Sequence, residues 1–398
     1  MGNNSVFDAK IKQMHFNKLP DSDKKEHRHK MLETIFKQLG DKENRYIFYC
    51  PDIPYVNNLV KLVYEIAFEL KELGFQTMIL HEINGFKCKW LFEQDEYKHL
   101  REIEVEYIIK KKSSKSKKTR SQYAFKPTDT LIVPDQFQEV MDNLADVKLM
   151  QKVILVSSHT GISALAPATD YSVLGVDNII FVENKLREDY ESLFKITPLR
   201  VDYPINTNVF QRDNEPTQIY PAIAVSNIGN NDMLQSIINV FHAKYPNLRT
   251  FTFKVLPRDN YEDYIDTLQH AALLLVLDKN MGNNQMIYEA LAMGLPVGTF
   301  VRRECEGELG EQIFLGVDAF EIADNIALFC ESWLNNSTNV FTDSIKGIAK
   351  DLGMDKLTYE NFSTTLLDAF NHLQQERVKY FAAIKQSIEK EEEAKVEA

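Results

Sequence analysis

The residues best suited to chemistry gather in the last third of the chain. Glu289 sits within Tyr288-Glu-Ala-Leu-Ala-Met-Gly-Leu-Pro-Val297, a helical run closed by Gly294 and Pro296 and preceded by Gly282, Asn283 and Asn284. A carboxylate near a helix start accepts hydrogen bonds from hydroxyls, and the unpaired N–H groups of the first turn suit a phosphate or a sugar hydroxyl. A solvated helix carboxylate is the plainer reading of Glu289. Asn283 and Asn284 add amides that both donate and accept, and a polar turn capping the helix accounts for them equally well. His159 follows an apolar strand, where it serves either a site or a local hydrogen bond. Farther upstream, residues 110–120 (Lys-Lys-Lys-Ser-Ser-Lys-Ser-Lys-Lys-Thr-Arg) carry seven positive charges in eleven positions. Such a loop suits anionic lipid, nucleic acid or a polyanionic acceptor, or is simply solvated.

These residues are set among alternating elements. Residues 22–39 read as an amphipathic helix. Residues 46–51 are a short apolar strand, and Leu59, Leu62, Val63, Ile66, Ala67 and Leu70 recur at helical spacing until Gly74 ends the run; a second strand follows over 76–81. A strand, a helix and a strand within so few residues imply a parallel, right-handed crossover. The pattern continues with strands at 129–134, 152–157, 178–182 and 199–203 and helices at 136–144 and 185–193. Residues 105–109 and 121–125 suggest a hairpin with the basic cluster at its tip. A polar stretch at 209–220 reads as a linker. Beyond it come strands at 221–225, 250–256, 271–277 and 296–300 and helices at 232–244, 261–268 and 284–293. Helices at 319–333 and 359–375 follow, then a charged tail, frayed or disordered from Glu389.

Two such runs imply an α/β chain of two facing, Rossmann-like, doubly wound domains with a cleft between them. The expected divisions are a helical extension at 1–45, a first domain at 46–210, a second at 211–355, and a final helix with its tail at 356–398. The 398 residues fit two cores better than one. A formal charge of −12 argues against charge-driven binding to nucleic acid over the whole surface. The four cysteines lie far apart, without metal-binding spacing, and read as buried free thiols. With no apolar leader and no run long enough to span a bilayer, the expected location is the cytoplasm.

Several of these stretches resemble the retaining GT-B glycosyltransferases of the sucrose-synthase-like group. Residues 288–297 look like that family's donor-site signature, residues 270–278 like the strand before it, and residues 199–210 like its inter-domain segment. Residues 46–80 resemble its opening strand, helix and strand. The resemblance implies that the second domain holds a nucleotide-sugar donor, the first holds the acceptor, and Glu289 accepts hydrogen bonds from the nucleotide ribose. It also implies transfer without a metal or other cofactor, and with retention.

The sequence departs from the family's pattern in several places. A second glutamate, eight residues before Glu289, is here Met281, although the glycine after it persists as Gly282; Asn283 and Asn284 are the neighbouring groups able to meet sugar hydroxyls. The family's Arg and Lys after the first strand of the second domain are absent from residues 226–232, which include Asn230. Arg258, Arg302 or Arg303 then stand in to neutralise the diphosphate. Asn57 and Asn58 occupy the family's Gly-Gly loop, and Asn tolerates the left-handed backbone such a loop uses. His159 falls where the family has a cleft-facing histidine. The expected function is transfer of a sugar from a nucleotide sugar to an acceptor that the sequence does not name. The alternative is a catalytically degenerate descendant that binds or assembles.

Overall fold

The computed structural model describes residue 37 and residues 44–109, 123, 125–143, 150–157, 175–182, 199–212, 219–227, 229–277, 285–299, 315–335 and 356–396. Two parallel sheets organise it. The first contains β1 (Arg45–Tyr49), β2 (Gln76–Ile83), β3 (Glu104–Ile109), β4 (Thr130–Pro134), β5 (Gln151–Val156), β6 (Asn178–Phe181) and β7 (Leu199–Arg200), in the order β3-β2-β1-β4-β5-β6-β7. The second contains β8 (Ala222–Ser226), β9 (Thr252–Val255), β10 (Leu273–Val276) and β11 (Val297–Thr299), in the order β11-β10-β8-β9. Every strand pair in both sheets is parallel. Strand order reverses between β1 and β4 in the first sheet and between β8 and β10 in the second, the places where such sheets open a crevice at their carboxyl ends.

The helices follow from the apolar spacing. In the first domain α1 (Asn58–Glu72) covers β1 and β2, with α2 (Lys89–Phe92), a 3₁₀ turn at Asp95–Glu102 and α3 (Gln138–Asn143) as shorter pieces. Gly74, at φ +89°, lets Phe75 N–H reach Leu70 O and close α1. In the second domain α4 (Asn231–Lys244), α5 (Tyr261–His270), α6 (Gln285–Ala292) and α7 (Ala319–Leu334) flank the sheet. Both β1 and β4 are buried along nearly their whole length, as a central parallel strand must be.

The last helix, α8, runs from Tyr359 to Val396 as 38 continuous residues, whereas the sequence reading ends it near Gln375 and leaves the tail frayed or disordered. No Gly or Pro interrupts that span, and its Glu, Lys, Ala and Gln residues favour helix. The helix packs on the first domain. Phe370 is fully buried against Tyr46, Phe48 and Phe75. Gln151 donates to Leu373 O at 3.3 Å, Arg377 donates to Pro127 O, and Thr365 Oγ1 accepts from Asp202 N–H at 2.9 Å.

Of the expected hairpin, the structure describes the first arm, β3. It pairs with β2, in parallel, at the edge of the sheet, and residues 121, 122 and 124 of the second arm lie outside the described residues. The basic cluster at 110–120 also lies outside them, as do residues 22–36 and 38–39 of the amphipathic stretch and the helix expected at 185–193. Cys50, Cys88 and Cys330 are free and buried. Among the described residues no helix is long and apolar enough to cross a membrane.

Truncating Phe370 to Ala opens a cavity between α8 and the first sheet. Urea unfolding is expected to show a loss of about 3–5 kcal/mol, whereas a loss near zero would mean that α8 does not close this core.

Candidate functional site

Loops at the carboxyl ends of the strands bring the two domains together. After β1, Asp52 fixes the loop by accepting from Ile83 N–H at 2.8 Å, Glu82 N–H at 3.3 Å and His81 Nδ1 at 2.8 Å. His81 is fully buried, and its Nε2 takes the Tyr64 hydroxyl at 2.8 Å. With Nδ1–H donating to the carboxylate, Nε2 is left as the acceptor for Tyr64. This relay is buried and holds the loop in place; the sequence reading did not anticipate it.

Asn57, assigned to a phosphate loop, instead caps α1. Its backbone is extended at φ −152°, and its Oδ1 accepts from Val60 N–H at 3.1 Å. Asn58 is the first helical residue. The left-handed turn expected here is therefore absent, because an Asx side chain in the N-cap position satisfies a free helix N–H from an extended backbone.

Facing this loop is the turn after β9. Val56 N–H donates to Arg258 O at 2.5 Å, and the Arg258 guanidinium lies 4.3 Å from the centre of the Tyr55 ring. Arg258, one of the cations expected to neutralise a diphosphate, thus bridges the two domains. Asn230, at the switch point of the second sheet, donates from Nδ2 to Leu277 O at 3.1 Å and ties the β8–α4 turn to the end of β10. Gly229 beside it has φ +73°, and nothing lies within 4 Å of where a Cβ would be. His159, Met281, Gly282, Asn283, Asn284, Arg302 and Arg303 lie outside the described residues.

Glu289, expected in the N-terminal part of its helix, is the fifth of the eight residues of α6, and its side chain is fully buried. Lys61 of α1 crosses from the first domain and places Nζ 2.5 Å from Glu289 Oε1. The Tyr264 hydroxyl donates to Oε2 at 3.3 Å, and the Lys61 ammonium also donates to the Tyr261 hydroxyl at 3.1 Å. Gln285, one turn earlier on α6, donates to Pro204 O of the inter-domain segment at 3.2 Å.

Aromatic rings complete the enclosure: the Lys61 ammonium lies 5.1 Å from the Phe210 ring centre, 5.7 Å from Tyr261 and 5.9 Å from Tyr97. Tyr261 in turn packs on Trp90 and Tyr97 of the first domain and stacks on Tyr264. The carboxylate expected to meet a ribose is thus held in an inter-domain ion pair.

Charge follows burial here. Burial lowers the Lys61 ammonium, but Glu289 and then Tyr261 and Tyr97 outweigh it and hold the group well above its ordinary value. Burial pushes Glu289 up, and Lys61 offsets part of that. Glu65, half-buried one turn along α1, is pushed up to about 7 by burial, with Lys61 pulling down and Glu289 pushing up. The segment joining the domains is tied on both sides: Ile205 N–H donates to Leu357 O at 3.1 Å, and Arg212 donates to Leu268 O and Ala271 O at the end of α5. Among the described residues, no three His, Cys, Asp or Glu side chains converge as a metal site would require.

Lys61 and Glu65 escaped notice because lysine and glutamate four residues apart on a helix usually face water. The available signal was their setting. Val60, Leu62 and Val63 surround Lys61 in a helix too apolar to keep one side wet, so a partner layer was needed on that face.

No family model and no curated protein matches the sequence. Solved structures do match. The pneumococcal O-GlcNAc transferase GtfA, solved in complex with UDP and GlcNAc, aligns with a TM-score of 0.52 at 11% identity over 84% of this chain and 99% of that one. A glycosyltransferase from Rickettsia africae ESF-5 aligns at 0.49 and 12% identity over the same shares of each chain. The lipopolysaccharide outer core galactosyltransferase WaaB, in its apo form, aligns at 0.47 and 8% identity over 82% of this chain and 99% of that one. The sheet topology and the match to GtfA show a two-domain, Rossmann-like GT-B fold.

Replacing Lys61 with Met leaves Glu289 buried without a cation, and replacing Glu289 with Leu strands the lysine. Each is expected to cost about 3–5 kcal/mol in urea unfolding, with the double variant recovering most of the loss. Additive losses in the double variant would show that the pair does not couple the domains.

Proposed function

We propose that this chain is a glycosyltransferase that takes a sugar from a nucleotide-sugar donor. The observation that carries the reading is the location of α6. The helix bearing the Glu289 signature follows β10, at the switch point of the second sheet, in sequence, and it meets α1 of the first domain through Lys61. The protein of similar fold, GtfA, was solved with UDP and GlcNAc. On this reading the second domain holds the nucleotide, with N–H groups of the β8–α4 turn and Arg258 toward the diphosphate and Glu289 toward the ribose. Transfer proceeds without a metal and with retention at the sugar. Closing the domains excludes water that would otherwise hydrolyse the donor. The acceptor lies in the first domain.

One observation favours a second reading, a degenerate GT-B protein that binds or assembles without catalysis. The Lys61–Glu289 pair fills the interface with a fully buried internal contact in the place of a ligand. An enzyme must open that contact in each cycle; a scaffold never needs to.

Calorimetric titration with a panel of nucleoside diphosphates and nucleotide sugars separates the two. The transferase reading expects one base to be preferred, and Glu289→Ala to weaken it by about 1.5–3 kcal/mol, the worth of a hydrogen bond to a charged group. Silence across the panel, with no donor hydrolysis, would leave the scaffold.

A further inference from the structure

The buried lysine has a second carboxylate within its reach. Lys61 and Glu65 stand four residues apart on α1, so both side chains leave the same face of the helix. Tyr203, of the segment between the domains, donates its hydroxyl to Glu65 Oε2 and holds that carboxyl beside the Lys61–Glu289 pair. Two carboxylates therefore compete for one ammonium inside the interface.

We propose that Lys61 is a positioning residue with two alternative partners. Paired with Glu289 it latches the domains together, and turned onto Glu65 it frees Glu289 to face the cleft. Such an exchange never leaves the ammonium unpaired in the interior, the state that makes breaking a buried ion pair costly. The latch stands on the geometry of these three residues; only the use of the freed carboxylate by a nucleotide rests on the function proposed above.

The exchange carries a proton. While Lys61 belongs to Glu289, burial holds Glu65 at about 7 rather than its ordinary 4.5, so Glu65 keeps its proton as the pH approaches neutrality. When Lys61 turns to Glu65, that proton leaves. The latched state therefore binds more protons than the open one, and acid favours the latch. Its advantage falls as the pH rises from about 4.5 to about 7, by at most about tenfold per pH unit for one proton, and is level above.

The other groups that face this cluster are Tyr97 of the 3₁₀ turn, Tyr261 and Tyr264 of α5, Tyr203, Tyr359 of α8, and Glu69 of α1, which accepts from Ser363. Burial pushes Tyr97 up to about 12 and raises Tyr261 and Tyr359 as well, so those three stay protonated through the window.

The test is small-angle scattering of the ligand-free full chain and of its Glu65→Gln variant across pH 5 to 8, followed by titration of both with UDP. The wild type is expected to expand as the pH rises to 7 and then to level off. Glu65→Gln, which keeps an acceptor for Tyr203 but no charge for Lys61, is expected to stay compact throughout. If UDP binds, its affinity should climb over the same window in the wild type and stay flat in the variant. A wild-type profile without expansion overturns the latch whether or not the variant folds, and so does an identical expansion in both proteins. Expansion as expected with no UDP bound leaves the latch standing and counts against the nucleotide reading alone.

Discussion

Among the described residues, the ion pair between Lys61 and Glu289 links the two halves of this molecule inside their buried interface. Lys61 comes from a helix that packs on the first sheet, and Glu289 from a helix of the second domain. Neither charge reaches water, so each depends on the other. An isolated ammonium or carboxylate in such a place costs several kcal/mol, and its partner recovers that only when geometry and further hydrogen bonds are favourable. Tyr261, Tyr264 and the surrounding rings supply those conditions. Other contacts between the domains include Val56 to Arg258, Gln285 to Pro204, and Tyr261 to Trp90 and Tyr97.

The fold was legible because its signals are local. Helical spacing in α1 and α5, the apolar runs of β1, β4 and β10, and the polar break near residue 212 each state their element without reference to the rest of the chain. What was not legible depends on contacts distant in sequence. Lys61 and Glu289 are 228 residues apart, and nothing in either neighbourhood names the other. The same holds for Asp52 and His81, where a loop carboxylate and a histidine of β2 lock the turn after β1. Asn57 was placed by analogy with a glycine loop, whereas its short amide serves a local purpose, capping the helix behind it. The length of α8 was underread because a charged composition signals both disorder and an exposed helix, and only packing of its first half decides between them.

For function, the consequence is that the signature around Glu289 has two meanings at once. Its apolar residues Ala290, Leu291 and Leu295 are core, and its carboxylate joins the domains. A cleft that closes by ion pairing to its own ligand-binding carboxylate would couple domain motion to ligand arrival directly. The nucleotide and the lysine would compete for one acceptor, so a ligand that binds the open state better shifts the population toward it. A chain that has ceased to catalyse would keep the pair as a permanent strut.

The most direct measurement is nitrogen-15 NMR of the lysine side-chain ammonium groups in the ligand-free protein near pH 5, where the pairing of Lys61 with Glu289 is favoured. A buried, hydrogen-bonded ammonium exchanges its protons slowly enough to be seen, whereas exposed ones exchange away. The account predicts a protected Lys61 signal that shifts or disappears in Glu289→Gln. Absence of that signal in the wild type, or its persistence unchanged in the variant, would contradict the claim that this pair joins the two domains.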